Sequence, residues 1–193
     1  MQTLDLVISG GTVIDGSSQP RFRADVGIKA GRIVAVGELG DTAAARRQDA
    51  TGRIVSPGFI DAHTHDDRLV LEAPPGPHPK LSQGVTTVIT GNCGISLAPL
   101  NWVDGAPPSP LDLLGRENWS FERFGDYLNS LERAGPAVNT ACLVGHTTLR
   151  VRHVADVGRP ADAAECRRMA ADLDDAVRSG ALGLSTGVYY PAA

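Results

Sequence analysis

The stretch that decides the fold runs Pro57-Gly58-Phe59-Ile60-Asp61-Ala62-His63-Thr64-His65. It is a short apolar run that ends in two imidazoles at positions i and i+2. Side chains alternate across a strand, so His63 and His65 should project from one face and Thr64 from the other. Imidazole nitrogen suits zinc and its neighbouring divalent metals. An isolated pair of this kind is also compatible with a solvent-facing strand end, so the surrounding sequence has to decide.

A second element further along the chain favours the interpretation of the two histidines as metal ligands. Residues 85–90 form a continuous β-branched run, which is typical of a strand in a parallel sheet that is covered on both faces. Cys93 follows that run between small residues. A lone cysteine in such a place is most often a small buried hydrophobe. Two histidines at one strand end beside a cysteine at the next predict a metal site formed by His63, His65 and Cys93.

The first part of the chain, residues 1–55, reads as a small β domain. Short β segments separated by glycine turns predict an antiparallel unit with strands at 6–9, 12–14, 25–29 and 32–37. Ala30-Gly31 supplies the glycine that a tight hairpin needs for positive φ. Residues 41–47 are polar and rich in alanine, which predicts a loop or a single helical turn.

The second part, residues 56–193, alternates strand-like and helix-like segments, which predicts βαβ units and a parallel sheet. The predicted strands are 58–62, 85–91, 138–145 and 181–186. One helix should begin at a Ser120 cap and end at Gly135-Pro136. Its apolar stripe comprises Phe121, Phe124, Leu128 and Leu131.

Asp162 and Glu165 have the spacing of a capping box, which predicts the start of another helix. Gly180 is placed to end it. Its apolar stripe comprises Met169, Leu173, Ala176 and Val177.

Two proline-rich stretches, residues 72–79 and 98–118, predict loops. In a (β/α)8 barrel the loops after the strands build the rim of the active site, so the second stretch is a candidate wall of the substrate pocket. His78 lies in the first stretch and is predicted to be an exposed loop residue and not a ligand, because a mobile loop holds a metal poorly.

Composition excludes several classes of protein. The 18 Lys and Arg against 22 Asp and Glu give a net charge of −4, so no basic face for nucleic acid or anionic membrane is implied. The first residues lack the pattern of a signal peptide, and no apolar run approaches the ~20 residues of a membrane span, which predicts a cytoplasmic protein. Cys142 and Cys166 lie far from Cys93 and from each other, so they are predicted to be core or helix-face thiols outside any disulfide framework.

These segments together resemble a known family, the N-acyl-D-amino-acid deacylases (D-aminoacylases) of the amidohydrolase superfamily. The resemblance extends over the whole length. The segments that carry it, besides residues 57–65, are Ile8-Ser9-Gly10-Gly11-Thr12-Val13-Ile14-Asp15-Gly16, Gly91-Asn92-Cys93-Gly94, Gly145-His146-Thr147-Thr148-Leu149-Arg150 and Gly183-Leu184-Ser185-Thr186-Gly187. His-x-His marks the superfamily, whereas the Asn-Cys-Gly and Ser-Thr-Gly segments together resemble the deacylase branch.

The resemblance implies a fold class and an activity. The fold would be α/β, with a small β-sandwich-like N-terminal part and then the first four βα units of a metal-dependent hydrolase (β/α)8 TIM barrel. The activity would be zinc-dependent hydrolysis of the amide bond of N-acyl-D-amino acids to a D-amino acid and a carboxylate. The metal ligands would be His63, His65 and Cys93, with Tyr190 near the substrate.

A barrel of this type needs eight βα units and about 250 residues, so we expect this chain to hold half of one. The resemblance implies that two further zinc-binding histidines and the aspartate base lie beyond residue 193, which leaves no catalytic residue to name here. We therefore expect weak zinc binding, no useful turnover by this chain alone, and self-association through unpaired strand edges.

Two alternatives remain open. Dihydroorotase and hydantoinase relatives bridge two metals with a carboxylated lysine on the fourth barrel strand, yet residues 181–186 contain none, and the chain's two lysines are Lys29 and Lys80. A non-enzymatic remnant that associates through exposed sheet edges is the other alternative. His146 falls just beyond the third predicted barrel strand and is predicted to be a structural histidine, and Arg150 and Arg152 are predicted to be solvated or structural.

Overall fold

The computed structural model describes residues 3–72, 78–103, 105–117 and 119–190, and the chain in it divides into two compact units. The first unit spans Met1–Pro57 and the second spans Gly58–Ala193. Among the described residues, no helix is both long enough and apolar enough to cross a membrane.

The first unit is built on one mixed sheet. Its strands are β1 (Leu4–Val13), β2 (Phe22–Lys29), β3 (Arg32–Gly37), β4 (Ala44–Asp49) and β5 (Ile54–Val55). The order is β3-β2-β1-β4, with β5 also paired to β1. The β1–β2 and β2–β3 pairs are antiparallel, whereas β4 and β5 run parallel to β1.

The hairpin prediction is confirmed, because Ala30 and Gly31 both have positive φ between β2 and β3. Three other expectations for this unit were wrong. The two predicted strands at 6–9 and 12–14 are one strand with a bulge between Ile8 and Gly11. Residues 41–47, predicted as a loop or a single helical turn, overlap β4 at Ala44–Asp49, and the sheet is mixed instead of antiparallel. The side chains of β4 are mostly exposed, so backbone pairing with β1 fixes this strand and its sequence carries little signal.

The second unit contains the predicted parallel sheet. Its strands are β6 (Phe59–Asp61), β7 (Val85–Thr90), β10 (Asn139–Gly145) and β11 (Gly183–Ser185), in the order β11-β10-β7-β6. All three pairings are parallel, which confirms a mixed α/β chain with βαβ connections. Since all strands run the same way, their carboxyl ends meet at one edge of the sheet.

The predicted loop at 98–118 is more regular than expected. It contributes β8 (Leu100–Trp102) and a 3-10 turn at Leu111–Leu114, and β8 pairs antiparallel with β9 (Trp119–Phe121). Leu100, Leu111 and Trp119 are almost completely buried. Hydrophobic packing beneath the loop therefore orders it despite its prolines. Asp104 and Asn118 of this stretch, and residues 73–77 of the predicted loop at 72–79, lie outside the described residues.

Within the part of the chain that the structure describes, three α-helices accompany the sheet: α1 (Phe124–Ala134), α2 (His146–His153) and α3 (Ala163–Ser179). Helix α1 ends at Gly135 in the left-handed region as predicted, but it begins after Arg123. The prediction of Ser120 as the helix cap was wrong because Ser120 lies in β9, where backbone pairing with β8 competes with helix formation. Helix α2 was not predicted.

The capping box of α3 is confirmed. The Asp162 carboxylate accepts the N–H groups of Ala164 and Glu165, and the Glu165 carboxylate accepts the N–H of Asp162. Gly180 ends the helix in the left-handed region, also as predicted. Of the predicted apolar stripe, Met169 and Ala176 are buried, but Val177 is 50% exposed and lies off the core face.

Candidate metal centre

His63 and His65 lie just after the edge strand of the parallel sheet. The prediction placed them at the end of a strand at 58–62; β6 ends at Asp61, and both histidines follow it. The Asp61 carboxylate accepts the backbone N–H of His63 at 3.2 Å, which holds the turn of the chain away from the sheet. The two rings meet edge to face with centroids 5.8 Å apart. Thr64 between them is buried, whereas His63 is exposed and His65 is half-buried.

Cys93 lies on the loop after β7, three residues beyond Thr90. Its φ is +56°, and Gly91 and Gly94 on either side have φ of +75° and +76°. Glycine is required at 91, because a Cβ there would lie 2.0 Å from the carbonyl oxygen of Leu143 on β10. This run of left-handed residues reverses the chain within a few residues of the strand end.

The structure brings the three predicted ligands together. One ligand atom from each of His63, His65 and Cys93 lies within 4.8 Å of the others, and His63 Nε2 is 2.9 Å from Cys93 Sγ. Tetrahedral zinc would separate such nitrogen and sulfur atoms by about 3.5 Å, given metal–ligand bonds of about 2.0–2.3 Å. Across the described ranges, this is the one group of three or more His, Cys, Asp or Glu side chains that converges in this way.

His65 gives a second observation that fits a metal site. Its Nδ1 is buried and has no hydrogen-bond partner among the described residues. Burial lowers the pKa of His65, the nearby His63 lowers it further, and only Asp66 opposes the shift. Both effects favour the neutral imidazole, the form whose lone pair can bind a metal ion. Two imidazoles and a potential thiolate with an orphaned nitrogen fit a zinc site.

Lys80 supports the histidine segment, a role that the sequence interpretation missed. Its ammonium lies 2.5 Å from Asp61 Oδ2 and 3.2 Å from Asp66 Oδ2, and it donates to the hydroxyl of Thr64 at 3.1 Å. The ion pair raises the pKa of Lys80 and lowers that of Asp61. The signal was available: Asp61 and Asp66 flank the histidines, and Lys80 is one of only two lysines in the chain.

Asp67 joins the histidine segment to the cysteine loop and was also missed. Its carboxylate is 1% exposed and accepts the N–H groups of Gly91 and Leu97 at 3.2 and 3.4 Å. Its backbone carbonyl accepts the hydroxyl of Tyr127 at 2.9 Å. Burial raises the pKa of Asp67 to about 7, against the effect of the two backbone donors. One side chain thus ties both ends of the loop that carries Cys93 to the chain that carries His65.

The remaining candidates lie outside the cluster. His146 opens α2 and is half-buried, and burial is the first cause of its lowered pKa, ahead of Arg150. Arg150 is buried and donates to the carbonyls of Val157 and Arg159, a structural role as predicted.

Arg152 pairs with Glu122 and Asp172. His78 is half-buried, and its Nδ1 accepts the N–H of Leu81 at 3.4 Å. Tyr190 is half-buried against the core, and its contact with substrate stays a prediction.

Cys142 is buried and Cys166 is exposed on α3, as expected for core and helix-face thiols. Burial raises the pKa of Cys142 to about 11, which favours the neutral thiol at neutral pH.

Comparison with known proteins places this chain in a family. Residues 46–191 match the amidohydrolase family. The chain belongs to that family. This amidohydrolase chain is 52% identical to a D-aminoacylase of Alcaligenes xylosoxydans xylosoxydans over 193 residues, and 50% identical to an N-acyl-D-aspartate deacylase of the same organism over 190 residues. The matches cover 100% and 98% of the chain, but only 39% and 38% of the two relatives.

Solved structures give the same result for this amidohydrolase. A crystal structure of a D-aminoacylase has a TM-score of 0.91 and 54% identity, and covers 98% of this chain and 40% of its own. The N-acyl-D-glutamate deacylase of Bordetella bronchiseptica, complexed with zinc and a phosphonate mimic of the tetrahedral intermediate, has a TM-score of 0.88 and 45% identity. That match covers 98% of this chain and 39% of the deacylase. The chain thus spans about two fifths of the length of each relative.

Proposed function

We propose that this chain forms part of a zinc-dependent hydrolase that cleaves the amide bond of N-acyl-D-amino acids and releases a D-amino acid and a carboxylate. The observation that carries the proposal is the convergence of His63, His65 and Cys93 in a chain about half identical to deacylases of that class. The donor set agrees with the chemistry, because imidazole and thiolate ligands suit zinc.

In the proposed site the protein residues hold and orient the ligands. Zinc, when bound, would polarise the substrate carbonyl and lower the pKa of a water molecule. His65 would offer its neutral imidazole and Cys93 its sulfur. Lys80 pairs with both Asp61 and Asp66, so the two carboxylates beside the histidines are held in place by one internal cation. Tyr190 is proposed as a substrate contact, and no residue of this chain is proposed as the catalytic base.

The cyclic amidohydrolase alternative lacks its key residue. That chemistry requires a lysine at the end of the fourth barrel strand, and β11 is Gly183–Ser185 with no lysine in the predicted stretch 181–186. Lys80, the lysine nearest the ligands, is engaged with Asp61, Asp66 and Thr64. The linear-amide proposal is therefore the better supported of the two.

We further propose that residues 56–193 are the first four βα units of a (β/α)8 barrel and that residues 1–55 belong to a β-sandwich-like domain. The parallel order β11-β10-β7-β6 supports the barrel. Phe59 and Ile60 on β6 are 63% and 65% exposed, and Leu182 and Leu184 at β11 are 59% and 43% exposed. Such apolar strand edges favour self-association of this chain, which sedimentation velocity over a range of concentrations would detect.

Metal content is the direct test of the site. The purified chain is dialysed against zinc at several free concentrations, and bound zinc is measured by elemental analysis beside Cys93→Ala and Cys166→Ala. Cys166→Ala is the matched control because it removes a thiol that is exposed on α3 and distant in sequence from the site. We expect the wild type and the control to bind zinc alike and Cys93→Ala to bind less. Equal binding by all three would refute the proposed ligand set.

The proposed activity is tested on the same samples with N-acetyl-D-methionine and its L enantiomer. Any acetate release should be selective for the D enantiomer and should fall in Cys93→Ala. Release without selectivity, or release that is unchanged in that variant, would contradict the proposed substrate class.

A further inference from the structure

The loop that carries Cys93 is clamped by the hydroxyl of Ser185 on β11. This hydroxyl donates a hydrogen bond to the carbonyl oxygen of Gly91 and accepts one from the N–H of Gly94 at 3.0 Å. A serine hydroxyl can donate and accept at once, so a single side chain closes the loop on both sides of the cysteine. Because Ser185 lies over 90 residues further along the chain, this contact is a feature of the fold and not of local sequence.

The next residues of the same segment press on the cysteine itself. A Cβ added to Gly187 would lie 2.0 Å from the backbone carbonyl oxygen of Cys93, and a Cβ added to Gly94 would lie 3.0 Å from the nitrogen of Gly187. The Ser185-Thr186-Gly187 backbone therefore passes in direct contact with the Cys93 loop. Only glycine at 187 allows that approach without displacing the cysteine.

Resting on the proposed metal centre, we propose that Ser185 is a positioning residue for Cys93: its hydroxyl holds the cysteine in its left-handed conformation, with Sγ facing His63 and His65. The φ of +56° at Cys93 is unfavourable for a residue with a side chain, so the conformation needs outside support. The two hydrogen bonds of Ser185 and the contact of Gly187 provide it. The sulfur is then placed 2.9 Å from His63 Nε2 before any metal binds.

Cobalt binding tests the proposal, because the thiolate-to-cobalt charge-transfer band reports directly on the Cys93 ligand. Three variants of the full 193-residue chain are compared with wild type: Ser185→Ala, Ser185→Thr, which keeps the hydroxyl, and Thr186→Ala, which removes a hydroxyl from the exposed neighbour. We expect Ser185→Ala to weaken cobalt binding about 10-fold or more and to reduce the band, as loss of a supporting hydrogen bond to a ligand does elsewhere. Ser185→Thr and Thr186→Ala should bind like wild type.

A second measurement separates failure of this proposal from failure of the proposed function. In the metal-free chain, hydrogen exchange of the Gly94 amide, followed by NMR, should accelerate in Ser185→Ala and not in Thr186→Ala. If wild type binds no cobalt, the metal centre is refuted and the exchange rates alone decide the role of Ser185. Unchanged cobalt binding, or unchanged exchange at Gly94, in Ser185→Ala would overturn the proposal.

Should Ser185→Ala fail to fold, Gly187→Ala takes its place, because the added Cβ must displace the Cys93 carbonyl. We expect the same loss of the charge-transfer band there. An unaltered band in a folded Gly187→Ala chain would overturn the proposal as well.

Discussion

Gly91→Ala is a substitution whose effect can be worked out from the structure. Gly91 follows β7 directly and has φ of +75°, and an added Cβ would lie 2.0 Å from the carbonyl oxygen of Leu143 and 2.8 Å from its carbonyl carbon. Both contacts are with backbone. Leu143 cannot withdraw easily, because β10 is hydrogen-bonded to β7 on one side and to β11 on the other. The loop carrying Cys93 would have to move instead.

Two costs add in this variant. A side chain in the left-handed region costs about 1–2 kcal/mol, and forcing an extra methyl into packed surroundings costs about 1–3 kcal/mol. We therefore expect Gly91→Ala to lower the free energy of unfolding by about 2–5 kcal/mol. Gly135→Ala is the matched control in the same unit: its φ is +61°, but a Cβ there would meet nothing within 4 Å. It should cost only about 1–2 kcal/mol.

Urea unfolding of the three proteins, followed by circular dichroism, checks the difference. With a slope of about 2 kcal/mol per molar urea, Gly91→Ala should lower the midpoint by about 1–2.5 M, and Gly135→Ala by less than about 1 M. Equal midpoints for the two variants would refute the reasoning, because the close approach to Leu143 would then contribute nothing.

Three further predictions concern capping and charge. Asp162→Ala should lower the free energy of unfolding by about 1 kcal/mol because α3 loses its N-terminal cap. Asp174→Ala, which removes an exposed ion pair of the same helix, should change it by less than about 0.5 kcal/mol. Equal urea midpoints for the two variants would contradict this prediction. The Arg159 guanidinium lowers the pKa of Glu165 to about 2 from 4.5, so the stability this carboxylate contributes is present above pH 4.5 and is lost as the pH falls toward 2. Over that range the unfolding midpoint of wild type should fall more steeply than that of Glu165→Gln, and parallel curves would disprove the linkage. Lys80→Met should lower the free energy of unfolding by about 1–3 kcal/mol, measured by thermal or urea unfolding, since it leaves two half-buried carboxylates without a cation. Lys29→Met, which breaks an exposed ion pair, should lower it by less than about 1 kcal/mol. The reverse order would show that the Lys80 cluster does not stabilise the fold.

Elements with local chemical signals were predictable from the sequence. The capping box at Asp162 and Glu165 places the start of α3 because both hydrogen bonds join residues three apart. The β-branched run at 85–90 identifies β7 because β-branched side chains favour strands, and Val88 and Thr90 on one face of it are buried. Gly135 and Gly180 mark helix ends because the left-handed conformation there favours glycine. In each case one short segment contains all the residues that determine the local structure.

Elements that depend on distant partners were missed or misplaced. Strand β4 has mostly exposed side chains and exists through its backbone pairing with β1, in which each residue pairs with one 40 positions earlier. Ser120 has a good capping side chain, but its pairing with β8 holds it in a strand, so helix α1 begins only at Phe124. Helix α2 has a weakly segregated apolar face, and its first amides donate to the carbonyl oxygen of Gly94 on the cysteine loop. No periodicity in the local sequence reports such contacts.

The same distinction governs the site. His63, His65 and Cys93 could be picked out because metal binding restricts ligands to a few residue types, and their places after two strands suggested that they meet. The residues that hold them are not so restricted: any hydroxyl, carboxylate or ammonium of the right reach could serve. The fold shows which residues are used: Ser185 reaches across 91 residues to Gly94, and Lys80 reaches across 19 to Asp61. A substitution at either position should therefore act on the ligands without touching the metal, which is why metal affinity is the quantity to measure in such variants, and not fold stability alone.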